Sequence, residues 1–179
     1  MTINTTIKNI FRTILLTSFL IGFTSSCTTF GTFAEDQSIE SKVNTLLEPI
    51  EENNKPAFIG VESHNLYVLI YGQVPTQDII EQVNHAIQGI PEIRKVFNEL
   101  RVSDPEQVST FNDAWITTKV KSSLAAEKGL DSKRIKVLTE AGEVFLMGLV
   151  TRDEGDKAAL VARNISGVSR VVKIFEYIN

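Results

Sequence analysis

The chain is poor in the residues from which many folds and sites are built. One cysteine among 179 residues excludes an intramolecular disulfide framework and a multi-cysteine zinc site. Two histidines, His64 and His85, give neither a metal-ligand set nor a Ser/His/Asp order. Five prolines and ten glycines exclude collagen-like or polyproline architecture. Basic charge is not in excess: 18 Lys+Arg stand against 22 Asp+Glu, which argues against nucleic-acid binding, where a basic domain is expected. After residue 26 no apolar run approaches the roughly 20 residues that a transmembrane helix needs. Carboxylates are plentiful, but the pattern sets no pair apart. The residues therefore offer no catalytic, metal or cofactor site, and the chain reads as a non-enzyme. What is present, 42% apolar and 22% charged residues, is ordinary globular composition.

Residues 1–26 read as an address. Lys8 and Arg12 open it, an apolar run from Ile14 to Phe23 follows, and Thr24-Ser25-Ser26 lead to Cys27. This is the three-part layout of a secretory signal peptide. A cysteine directly after small residues resembles the lipobox of bacterial lipoproteins, which implies that Cys27 is acylated and becomes the mature N-terminus. Plain secretion with a free thiol is the alternative. Acyl chains hold a protein durably, since each buried CH₂ contributes about 0.8 kcal/mol. Thr28, rather than Asp, follows the cysteine, and by the same resemblance this implies the outer membrane, with the protein on its periplasmic face.

The remainder is a repeat. Asp36-Gln37-Ser38-Ile39-Glu40-Ser41-Lys42-Val43 resembles Asp113-Ala114-Trp115-Ile116-Thr117-Thr118-Lys119-Val120. Val68-Leu69-Ile70-Tyr71-Gly72-Gln73-Val74 resembles Val144-Phe145-Leu146-Met147-Gly148-Leu149-Val150, and Ile93-Arg94-Lys95-Val96 resembles Val168-Ser169-Arg170-Val171. Three blocks in one order at a nearly constant offset mark an internal duplication. The organisation expected is a leader at 1–26, a short lipidated tether at 27–35, a first unit at 36–102, a polar linker with Pro105 at 103–110, and a second unit at 111–179.

Each unit reads as α-β-β-α-β. In the second, Ile116, Val120 and Leu124 form a helical stripe, with Thr110 and Asp113 as an expected capping box and Gly129 as the stop. Strands 135–139 and 143–150 flank a tight Ala141-Gly142 turn. Thr151 to Glu154 caps a second helix, Gly167 ends it, and a last strand spans 168–178. The first unit repeats this with helix 37–48, strands 58–63 and 66–73, helix 76–88 and strand 93–102. The fold class expected is α+β: two tandem units, each a small three-stranded sheet with two helices on one face. Gly72 and Gly148 fall inside strands, where glycine marks a bulge or a close backbone approach.

The units differ in charge. The first carries five bases and ten acids, the second eleven bases and nine acids, an asymmetry that suggests a division of labour. Trp115 adds to it. At about 100° per residue it lies off the stripe of Ile116, Val120 and Leu124, and the equivalent position in the first unit is Ser38, so the shared fold requires no aromatic there. An exposed tryptophan beside Lys119 suits a membrane interface. Packing against the linker or the other unit is the alternative.

The lipobox cysteine, the two α-β-β-α-β units and the Gly167-Val168-Ser169-Arg170-Val171 ending are similar to the dual-BON-domain outer-membrane lipoproteins. Likeness is strongest over 112–120 and 142–150. In the first unit, Pro91-Glu92-Ile93 stands where that family has Gly-Val. The resemblance implies that the second unit binds anionic phospholipid, phosphatidylglycerol above all, through its first helix. The matching positions are Trp115, Ile116, Thr118, Lys119, Val120, Ser122 and Ser123, with Ile116 and Val120 as core supports. It also implies a part in outer-membrane integrity, placement at division sites, and contact with the β-barrel assembly machinery, without a cofactor. The rival expectation is a periplasmic protein-interaction scaffold that uses lipid only as an anchor.

Overall fold

The computed structural model of the chain describes residues 27–103 and 110–179; the leader 1–26 and most of the expected linker 103–110 lie outside them. The first unit runs α1 (Cys27–Asn53), β1 (Phe58–His64), β2 (Tyr67–Val74), α2 (Gln77–Ala86) and β3 (Lys95–Val102). The second runs α3 (Thr110–Ala126), a 3-10 turn (Ser132–Arg134), β4 (Ile135–Glu140), β5 (Glu143–Val150), α4 (Arg152–Arg163) and β6 (Arg170–Tyr177). Each sheet orders its strands in chain sequence, with an antiparallel hairpin followed by a parallel strand. The parallel partner is reached through a helical crossover, as parallel pairing demands.

Strand alternation decides which face each side chain covers. Val68, Ile70 and Val74 of β2 pack with Ile39, Val43 and Leu47 of α1 and with Val83 and Ile87 on the α2 side. Val144, Leu146 and Val150 of β5 pack with Ile116, Val120 and Leu124 of α3 and with Ala158 and Ala162 of α4. Both helices of a unit thus cover one face of its sheet.

Three local devices are shared by the units. The first fixes helix to hairpin. Asp36 accepts backbone N–H groups of Asn65 and Leu66 at 2.8 Å each and the Ser63 hydroxyl at 2.7 Å. Asp113 accepts those of Ala141 and Gly142 at 2.9 and 2.8 Å. Both turns hold two successive residues at positive φ, and a buried carboxylate satisfies their donors. Asp113 thus holds the hairpin turn with both of its oxygens; the side chain of Thr110, its expected partner in a capping box, lies outside the described residues. The capping box expected at the second helix does form: Thr151 and Glu154 bond reciprocally. The third device is the strand glycine. Gly72 and Gly148 have φ of +124° and +155°, and a Cβ on either would run into the Phe58 or Arg134 carbonyl oxygen across the hairpin.

The first helix differs most from expectation. It begins at Cys27, not near residue 37, so the stretch expected as a tether forms its first turns. Residues 28–36 hold no proline, and the packed part of α1 supplies the nucleus from which a helix extends at little cost per residue.

The other faces of the two sheets meet. Leu69, Phe145, Met147 and Ile174 form a third buried cluster, joined by Tyr67, Tyr71, Phe97, Leu138 and Val172. The Tyr71 and Phe145 rings lie 6.1 Å apart. The result is four layers, with both helix pairs outside. Arg94, just before β3, pairs with Glu176 near the end of β6. Arg101, near the end of β3, pairs with Glu143, which lies beside Arg170 at the start of β6. The units therefore stack with their strands in opposite directions, and the two hairpin turns lie at opposite ends of the sandwich.

Candidate functional site

The expected contact residues divide cleanly by helical phase. Ile116 and Val120 are fully buried in the second unit's core, as supports. Trp115 lies on the outer side of α3, 47% exposed. Lys119, one turn on, holds its Nζ 5.6 Å from the centre of the indole ring, a cation–π contact that pre-positions the charge beside the aromatic. Thr118 and Ser122 are exposed on the same side. Their hydroxyls donate to the Ala114 and Lys119 carbonyls at 2.9 Å each, leaving oxygen lone pairs outward and no free donor. Ser123 is half-buried. Cys27 is the first residue of α1.

The charge asymmetry has two destinations. Part of it joins the units: Glu62 of β1 pairs with Lys136 of β4, and Glu99 of β3 pairs with Arg170 at 2.7 Å. Arg170 also binds Glu143 at 2.7 Å, a carboxylate whose side chain is 8% exposed. The rest faces solvent. Among the described residues no carboxylate lies within ion-pair distance of Lys119, Lys121, Lys128, Lys133 or Arg163, all in the second unit. These are the bases a polyanionic surface would find unoccupied.

The remaining titratable groups serve the fold. His64 is half-buried; burial, with Lys136 nearby, holds its imidazole below the ordinary value. Burial raises Glu40, which also shares a hydrogen bond with Glu62, and it raises Glu140 as well. Tyr71 is pushed up to about 12 by burial and by Glu62. These groups line the contact between units and converge on no cleft. Among the described residues no group of His, Cys, Asp and Glu is placed to hold a metal ion, and no described helix is long and apolar enough to cross a membrane.

Sequence reasoning missed Leu160. This α4 residue is 62% exposed on the same outer layer as Trp115. The signal was available: Thr76 and Thr151 both start second helices, and from that match Leu160 falls on His85 of the first unit, a polar residue.

Comparison with known proteins follows the same division into units. The model of the BON domain family matches residues 35–104 and again 112–179. The outer membrane lipoprotein DolP of Haemophilus influenzae is 35% identical over 152 residues, 84% of this chain and 79% of that protein. The 21 kDa hemolysin of Actinobacillus pleuropneumoniae is 36% identical over 149 residues, 83% and 77% of the two chains. The osmotically-inducible protein Y of Escherichia coli is 29% identical over 151 residues, 82% and 75%.

Proposed function

The chain belongs to the BON-domain family, and from that premise we propose that it is a non-enzymatic outer-membrane lipoprotein of the periplasmic face. It is anchored through acylated Cys27 and makes a second contact with anionic phospholipid through α3. Trp115 enters the headgroup region, Lys119 and Lys121 meet phosphate, and Thr118, Ser122 and Ser123 border the contact. Phosphatidylglycerol is the lipid this face takes in preference to zwitterionic species. Through that contact the protein supports outer-membrane integrity at division sites, where it meets the β-barrel assembly machinery.

One observation carries the reading: an exposed tryptophan with a lysine ammonium over its ring, at a position where the sister unit of the same fold has Ser38. An interfacial indole and a neighbouring cation are the pair that a charged bilayer surface stabilises. The test uses the acyl-free mature protein, with Cys27→Ser. Trp115 emission shifts to the blue with phosphatidylglycerol vesicles and not with zwitterionic ones, and salt reverses the shift because screening weakens exposed charge attraction. Folded protein with no shift on either vesicle refutes the reading.

The placement of the two helices sets the condition for a double contact. α1 and α3 occupy opposite outer layers, and their N-terminal ends lie at opposite ends of the stack, since Asp36 and Asp113 each sit at their own unit's hairpin turn. A sheet spacing of about 10 Å and a helix layer of about 10 Å on each side put the two helix layers roughly 30 Å apart. With residues 27–35 helical, Cys27 and Trp115 cannot reach one flat bilayer together. Nine residues fully extended span about 30 Å, so both contacts form only when this segment leaves the helix and acts as a tether. Its Thr28, Thr29, Gly31 and Thr32 are weak helix formers, which keeps that transition inexpensive.

A further inference from the structure

We infer that the lipid-binding face is a two-helix surface in which Leu160 of α4 is a second insertion point beside Trp115, with Arg163 as its headgroup partner. The inference rests on the anionic-bilayer contact proposed for α3 and extends it to the neighbouring helix.

Helical phase places Leu160. Gly155, Ala158 and Ala162 are the buried residues of α4. At about 100° per residue, Leu160 points roughly 170° from their mean direction. It is the crest of the helix, and with Phe33 it is the most exposed of the large apolar side chains, at 62%. A leucine held there leaves most of its surface to solvent.

The layer brings this crest to Trp115. Lys157 of α4 donates to the Lys128 carbonyl just past the end of α3, and Gly167, just past α4, packs on Ile116 near the start of α3. The two helices therefore run antiparallel side by side. Along the helix pair Leu160 is level with the middle of α3 and Arg163 with its first half, Arg163 lying on the flank of α4 toward β6. Trp115 itself leans toward α4 from the crest of α3: Asn112, on that flank of α3, also lies against Gly167. Each helix thus presents one large apolar side chain and one cation without a carboxylate partner on the same outer layer.

The sister unit supplies the contrast. At the same two crests it has Ser38 and His85, and α2 carries no lysine or arginine, whereas α4 carries Arg152, Lys157 and Arg163. The fold tolerates polar residues at both crests, so the apolar pair in the second unit answers something outside the fold. Charge selects an anionic bilayer as the occupant: the cations left unpaired within a turn of the two crest residues are Lys119 and Arg163. The acid nearest Leu160, Asp156 one turn before it on α4, is already paired with Lys173 at 2.7 Å, and Asp153 lies seven residues away at the other end of α4.

The test moves the chain's only tryptophan. Vesicles of phosphatidylglycerol with brominated acyl chains quench an indole that enters the bilayer. The acyl-free protein and its Trp115→Phe/Leu160→Trp variant are compared at saturating lipid, with binding verified by sedimentation. Quenching of both to a similar degree is expected. Quenching at Trp115 alone overturns the two-helix surface while leaving the α3 contact standing; quenching at neither overturns both. Leu160→Asn, at a solvent-facing position, lowers vesicle affinity about tenfold, as loss of part of one leucine's burial should, while His85→Asn changes nothing. Equal affinity of Leu160→Asn and wild type also overturns the inference.

Discussion

The two units share strand order, turn geometry, an aspartate that bonds the hairpin turn and a strand glycine, yet their outer faces have little in common. The first unit presents Ser38 and His85 where the second presents Trp115 and Leu160. The first is acidic; the second holds cations with no internal partner. Because one fold appears twice in one chain, each unit is the control for the other. What recurs belongs to the fold, and what differs is free to serve a contact. Sequence offset already separates Gly148 from Trp115, since Gly72 answers the one and Ser38 stands opposite the other; the structure adds the reason, a carbonyl oxygen that leaves no room for a Cβ at either glycine.

The largest effects should come from breaking what the units share. Gly148→Val and Gly72→Val each force a Cβ into a carbonyl oxygen at a φ that L-residues avoid. Each is expected to cost more than about 4 kcal/mol and to unfold its own unit, seen as loss of the urea transition for that half. Next come the aspartates. Asp113→Ala strands two turn donors and Asp36→Ala two more together with the Ser63 hydroxyl, so equilibrium unfolding should give losses of about 3 kcal/mol each, with Asp36 the larger.

Much of this frame was legible in the sequence. The duplication, the α-β-β-α-β order, the strand glycines, the Ala141-Gly142 turn and the Thr151–Glu154 box all leave local signals, because each depends on neighbours in the chain. The role of Asp113 did not, since its partners lie 28 and 29 residues away. The sheet-to-sheet contact was hidden for a related reason. The unbroken apolar run Val144–Val150 indicates a strand covered on both faces, but a sequence does not say by what. The length of α1 was missed because Thr28 to Thr32 are poor helix formers, and continuity with a packed helix overrode that weak preference. In the site, Trp115 stood out by rarity. Leu160 did not, because a leucine in an amphipathic helix is read as core until its phase is checked.

Two smaller effects sharpen the contrast further. Thr29→Ala/Gly31→Ala stiffens the start of α1 by about 1.5 kcal/mol. In the lipidated protein this should reduce Trp115 insertion about tenfold, and in the acyl-free protein it should do nothing; a loss in both would mean that the segment does not act as a tether. The pH response of the unit interface is the smallest. With His64 lowered by burial and by Lys136, the unfolded chain takes up its proton first. Stability therefore falls as pH drops from about 6.5 toward the lowered value. Glu40 and Glu140 act oppositely: raised above 4.5 by burial, they take protons first in the folded chain, and stability rises as pH falls through that window. His64→Gln should flatten the first slope and leave the second, as followed by thermal unfolding across pH.

The division of labour between units is tested most directly by exchanging their crest residues. A Ser38→Trp/Trp115→Ser chain keeps one tryptophan, now on the equivalent turn of the first unit. Titrated acyl-free with phosphatidylglycerol vesicles, it should show no blue shift and bind at least about tenfold more weakly than wild type. An equal shift and equal affinity from the exchanged chain would mean that any unit of this fold with a tryptophan at that turn binds the bilayer, and the second unit would have no special claim to the membrane.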